Sequence, residues 1–161
     1  MSSDRIFRRA AILGLLALGG CGFVPVYGNG GGLRGQIDFA TPDSVAGFRL
    51  RERLEQRLGL PTETRYRLVV TLGEQRTPAA INPAGDTTRF NVIGRASWVL
   101  TDMADGVQAG AGVVETFTSY SATGSTVATQ AAATDATARL SVALADMIVG
   151  RVLILSAGLA Q

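Results

Sequence analysis

One cysteine sets the limits of everything downstream. Cys21 is the only cysteine in 161 residues. It stands directly behind Ala10–Leu18, a run without a charge or an amide side chain, and behind the small pair Gly19-Gly20. Arg5, Arg8 and Arg9 form a positive head before that run. A basic end, a short apolar core and small residues at a cut site make an export signal. The run is too short for a transmembrane helix, which needs ~20 apolar residues. A cut before Cys21 sets residues 1–20 aside and leaves 141 residues, one domain large enough for a real core. No second thiol exists to staple it, so the fold must stand on packing alone.

The four residues Leu18-Gly19-Gly20-Cys21 resemble a bacterial lipobox, in which the cysteine is acylated. One acyl chain holds a protein to a bilayer only marginally, and stable anchoring takes two signals. A mature lipoprotein cysteine of this kind carries three chains, so the resemblance implies a permanent anchor. Cys21 is then spent and unavailable as metal ligand or nucleophile. The next residue is Gly22 rather than the Asp that retains enteric lipoproteins in the inner membrane. The sorting rule therefore points to the outer membrane.

Charge excludes one class of partner. The precursor carries +2, but three arginines and Asp4 leave with the signal, so 12 arginines face 12 acidic residues in the mature chain. A near-neutral chain has no bulk attraction for nucleic acid. The chain has no histidine, hence no imidazole base or ligand. No cofactor and no metal are expected. Lysine is also missing. GC-rich coding accounts for that, although arginine also suits forked contacts with phosphates.

The mature chain opens with a Gly-rich tether, residues 21–34, which lets a domain stand off its anchor. The domain itself spans 35–161. Gln36–Ala40 alternates as a first strand. Thr41-Pro42-Asp43-Ser44 reads as a helix start with Thr41 as cap. Val45, Leu50, Leu54 and Leu58, with Phe48 beside them, give helix-spaced apolar positions, and Gly59 and Pro61 end the run. Arg65–Glu74 is a second strand, with Tyr66, Leu68, Val70 and Leu72 on one face. Arg76–Thr88 contains Pro78, Pro83 and Gly85 and reads as a long connection. Arg89–Thr101 is a third strand, with Phe90, Val92, Ala96, Trp98 and Leu100 facing the core. Asp105-Gly106 marks a turn, and Val107–Tyr120 a Gly/Thr-rich fourth strand whose Gly110 and Gly112 suggest a bulge or close packing. A closing helix runs from about Ser125 to Ser156, with Leu140, Leu144, Met147, Ile148, Val152 and Leu155 as its core stripe. Asp135 and Arg139 can pair across one turn.

The order βαβββα predicts an α+β fold: two helices packed on one face of a four-stranded sheet. The other face then needs a partner or must be polar. Paired carboxylates, Asp86 with Asp102 or Asp105, would be the elements of a glycosidase. These residues sit in turns, where Asp serves local hydrogen bonds, and no enzyme is expected. Trp98 shares its face with Phe90, Val92 and Leu100 and reads as core.

Assembled in this order, "CGFVPVYG", "YRLVVTL", "RFNVIGRASWVL" and "ETFTSYSATGSTVATQAAATDATARLSVALADMIVGRVL" resemble the lipopolysaccharide-assembly lipoproteins of the LptE type, over nearly all the mature chain. The resemblance implies an outer-membrane lipoprotein, anchored through Cys21, whose domain faces the periplasm or a barrel lumen. Its partner would be the outer-membrane β-barrel translocon for lipopolysaccharide, for which it acts as plug and assembly partner. The resemblance also implies glycolipid contact through basic residues at one end of the sheet. By position these are Arg76, Arg89 and, further along, Arg95. The family's second basic position, before the last helix, has no counterpart between Arg95 and Arg139. An auxiliary lipoprotein of a lipid-transport ABC system, bridging envelope parts, has a similar build and is the alternative.

Overall fold

The computed structural model describes residues 33–159, with side chains to Ser156. The signal, Cys21 and most of the tether lie outside the described residues. The elements are β1 (Ile37–Ala40), α1 (Val45–Leu58), β2 (Tyr66–Ile81), β3 (Thr87–Asp102), β4 (Gln108–Ser121) and α2 (Thr126–Leu159). They form one four-stranded sheet in the order β1-β2-β3-β4. β1 runs parallel to β2, and the other pairs are antiparallel. The expected α+β order is the observed one.

Alternation builds the packed face. Ile37 and Phe39 of β1, Tyr66, Leu68 and Val70 of β2, and Val92, Ala96, Trp98 and Leu100 of β3 are buried. Both helices cover this face. α1 buries Leu50, Leu54 and Leu58. α2 buries Ala133, Ala136, Leu140, Leu144, Ile148 and Val152. Gly110 and Gly112 do pack closely: a Cβ at the first would meet Leu155 Cδ1 at 2.3 Å, and one at the second would meet the Trp98 ring at 3.0 Å. Thr137 Oγ1 donates to Glu74 Oε1 at 3.1 Å and Thr118 Oγ1 to the Ala136 carbonyl at 3.0 Å, fastening α2 to the sheet. The helices are clamped to each other by Arg53, whose Nε and Nη2 donate to the two carboxylate oxygens of Asp146 at 2.9 and 3.0 Å. The forked pair raises the Arg53 pKa above its ordinary value, chiefly through the hydrogen bonds and then the charge of Asp146.

Four expectations need correction. The helix cap is Ser44, not Thr41: its hydroxyl accepts from Gly47 N–H at 3.1 Å. Val45 and Phe48 are exposed, at 71% and 59%, because the stripe that meets the sheet runs through Gly47, Leu50, Leu54 and Leu58 and leaves them on the far side. Met147 is 40% exposed, since Leu144 and Ile148 already fill the inward line of α2. The expected loop Arg76–Thr88 is mostly strand. β2 and β3 pair from Tyr66↔Asp102 to Ile81↔Thr87, through a bulge at Pro78–Ala80. The turn proper is tight: Asn82 N–H donates to the Asp86 carbonyl at 2.9 Å, Asp86 N–H donates to Asn82 Oδ1 at 2.8 Å, and Gly85 supplies a φ of 91°.

The opposite sheet face carries no described element. It mixes Thr71, Arg95, Ser97 and Glu115 with Val69, Val99, Val113 and Phe117, all exposed. No helix among the described residues is long and apolar enough to cross a membrane.

Candidate functional site

Strand alternation decides where the three candidate arginines point. Arg76 belongs to the even-numbered series of β2, with Tyr66, Leu68 and Val70, and so lies on the helix side. Its guanidinium carbon sits 5.4 Å from the centroid of the Tyr120 ring. Tyr120 in turn stacks on Phe90 with centroids 5.5 Å apart. A cation over an aromatic face is attracted by the ring quadrupole, by ~0.5–1 kcal/mol when exposed. Arg95 belongs to the odd-numbered series of β3 on the open face, where its Nη1 lies 3.5 Å from Glu115 Oε2. Arg89 falls in that odd series too, six residues and ~20 Å along the strand from Arg95.

The arginines therefore do not converge. Arg76 serves one face of the sheet, and Arg89 and Arg95 the other. Arg76 and Arg89 have no carboxylate within 4.0 Å among the described residues, which leaves both charges available.

Arg76 borders a cleft of about 1100 Å³ that the sequence did not announce. Its walls are the start of α1, with Val45, Ala46 and Arg49, and the first four turns of α2, with Thr126, Val127, Gln130, Ala131, Thr134 and Ala138. The volume lies just above the ~300–1,000 Å³ range of ligand clefts. Exposed Val45 and Val127, at 71% and 80%, are accounted for by this cleft. An apolar residue on the outer side of each helix start was the only sequence signal. Asp135, also on the wall, is paired with Arg139 one turn on, as expected.

The carboxylates do not form a catalytic pair. Asp86 closes the β2–β3 turn, at the opposite end of β3 from Asp102 and Asp105. Asp102 accepts from Ala104 N–H at 3.0 Å and from Arg65 Nε at 3.0 Å. The backbone hydrogen bond first, and then Arg65, hold its carboxyl below the usual carboxylate range despite some desolvation. Asp105 accepts from Val107 N–H at 2.8 Å. Each is occupied in shaping its own turn.

The model of a family described as "LptE: Lipopolysaccharide-assembly" matches residues 36–152. No curated protein sequence matches the chain. Among solved structures, a putative lipoprotein from Caulobacter crescentus CB15 superposes with a TM-score of 0.65 at 23% identity, over 77% of this chain and 92% of that one. The rare lipoprotein B from Shewanella oneidensis gives 0.62 at 16% identity, over 78% and 99%. A minor lipoprotein from Acinetobacter baumannii gives 0.59 at 16% identity, over 73% and 90%. At these identities the likeness is one of fold, and the fold is shared over nearly the whole of each of these chains.

Proposed function

Because the chain belongs to the lipopolysaccharide-assembly family, LptE, we propose that it is the lipid-anchored plug and assembly partner of an outer-membrane β-barrel through which lipopolysaccharide is delivered. The general role in lipopolysaccharide assembly comes with the family. The plug role rests on one observation, a sheet face that none of the described elements covers. A sheet needs its apolar side chains buried, and this face has Val69, Val99, Val113 and Phe117 open among threonines, serines and an Arg95–Glu115 pair. Such a surface is too apolar to favour water and too polar to favour lipid. Barrel interiors are polar, and a mixed face of this kind suits a barrel wall.

Cys21 is the proposed acylation site, holding the domain at the inner surface of the outer membrane. Arg89 and Arg95 are the proposed contacts for glycolipid phosphates, while Arg76, the third basic residue expected there, faces the cleft on the other side of the sheet. No single phosphate is then gripped by all three. Arg89 and Arg95 each contribute a separate forked donor.

Affinity isolation from solubilised outer membrane, with a tag after Gln161, tests the reading. Recovery of one large heat-modifiable barrel in stoichiometric amount is the expected result. Recovery of an ABC transporter in its place would assign the chain to lipid transport of the bridging kind. Recovery of neither removes the plug role.

A further inference from the structure

Among the described residues, the lane beside β2 is only partly filled. The four residues of β1 pair with Tyr66–Val69, whereas β2 continues to Ile81. From Val70 onward no described residue pairs with β2 on that side. Tyr66 N–H donates to the Gln36 carbonyl, so the even-numbered residues of β2 turn their backbone groups toward the β1 lane. Alternation carries the same direction to Leu72, Glu74 and Arg76. Pro78 falls in that series as well, where its missing N–H costs the β2–β3 ladder nothing. The bulge at Pro78–Ala80 then bends the edge away. The vacant lane is thus bounded, by the turn into α1 below and by Pro78 above.

An open strand edge is a template for another strand. β4 has an open outer edge too, but no β4 residue lines the large cleft. The β2 lane differs because that cleft opens beside it. A strand laid there would alternate its side chains between the cleft, walled by Val45, Val127 and Ala131, and the open face. Arg76 stands at the same place with no carboxylate within 4.0 Å among the described residues.

We infer that the upper edge of β2 receives an extended segment of the barrel protein's own chain as a fifth strand, with apolar side chains in the cleft and an acidic side chain against Arg76. This rests on the plug reading, which supplies the partner. Main-chain hydrogen bonds give such additions their affinity, and the pockets for alternate side chains give specificity. The charge on Arg76 selects for a carboxylate, since an unpaired cation enclosed by an incoming strand would oppose docking.

Glu74→Pro tests it. The substitution removes an N–H that faces the lane and leaves the ladder to β3 intact. Glu74→Ala removes the carboxylate that holds Thr137 but keeps the N–H, and serves as the control. Barrel recovery with Glu74→Pro is expected to fall about tenfold below Glu74→Ala, the equivalent of one lost buried hydrogen bond. Hydrogen exchange on the wild-type chain gives an answer that does not depend on the variant folding: the amides of Glu74 and Arg76 should exchange fast in the free lipoprotein and slowly in the isolated complex. Equal exchange of those two amides in both states overturns the inference, as does equal barrel recovery by the two folded variants. A wild-type chain that recovers no barrel overturns the plug reading and this inference with it. Normal wild-type recovery with unprotected amides overturns this inference alone.

Discussion

At the scale of the residue, Gly47 shows how a missing methyl fixes a helix start. A Cβ there would lie 2.0 Å from the Pro42 carbonyl oxygen and 3.0 Å from its carbon. The obstacle is backbone, so it cannot swing aside. Alanine gains up to ~1 kcal/mol of helix propensity over glycine, while forcing atoms into filled space costs ~1–3 kcal/mol. The clash should win. Gly47→Ala is expected to lower unfolding free energy by about 1–2 kcal/mol in denaturant titrations, and a stabilised variant would show that the Pro42 turn yields freely. Asp102 has a different signature. Its carboxyl is held low by Ala104 N–H and Arg65, so the folded chain binds fewer protons than the unfolded one at acid pH. The stability it contributes is complete at neutral pH and is lost as the pH falls below about 4, the ordinary carboxylate value, toward its lower folded value. Asp102→Asn should flatten that part of the stability profile and leave the pH 7 to 9 region parallel to wild type. An unchanged acid slope in the variant would assign the loss to other carboxylates.

At the scale of the element, hydropathy reports burial, and it names strands only where a strand is half buried. β2 from Tyr66 to Leu72 alternates and was legible, as was the core face of β3 from Val92 to Leu100. Beyond Gly73 both faces of β2 are largely exposed, and the alternation disappears. Pro78 and Gly85 then read as a loop, because proline and glycine usually break pattern. Proline is harmless on a free edge, and which way an edge N–H points is not written in hydropathy. The placement of the arginines turns on the same strand assignment. Two residues flanking a loop can converge, but two residues in paired strands are committed to a face by parity, and Arg76 and Arg89 differ in parity. In TPDS each of Thr41, Asp43 and Ser44 has a capping oxygen, and hydropathy does not say that Ser44 is the one that accepts from Gly47 N–H. The cleft was illegible for a related reason. It exists because α1, at 14 residues, is much shorter than α2, at 34, and lengths of separate elements say nothing of the space left between them.

At the scale of the whole molecule, the buried core among the described residues runs from Leu33 to Val152, twelve or more positions beyond Cys21. Cys21→Ser should therefore abolish acylation without unfolding the domain, leaving a longer form that retains residues 1–20. Electrophoretic mobility and fractionation check this, and a variant that migrates and fractionates like wild type would exclude Cys21 as the anchor. The dimensions of the domain matter as much as its attachment. Thirty-four residues of helix make a rod of ~51 Å, and sixteen residues of strand in β2 and again in β3 extend ~53 Å. Leu33 enters beside the start of β2, and the Asn82–Asp86 turn closes the far end. The described domain is thus longer than the ~25 Å apolar band of a membrane barrel. Seated in such a barrel with its base level with the inner leaflet, it would carry the hairpin tip past the far rim of that band. A glycolipid moving outward would then pass alongside the protein for the full thickness of the membrane, and the tip would be the last part of it to be left behind.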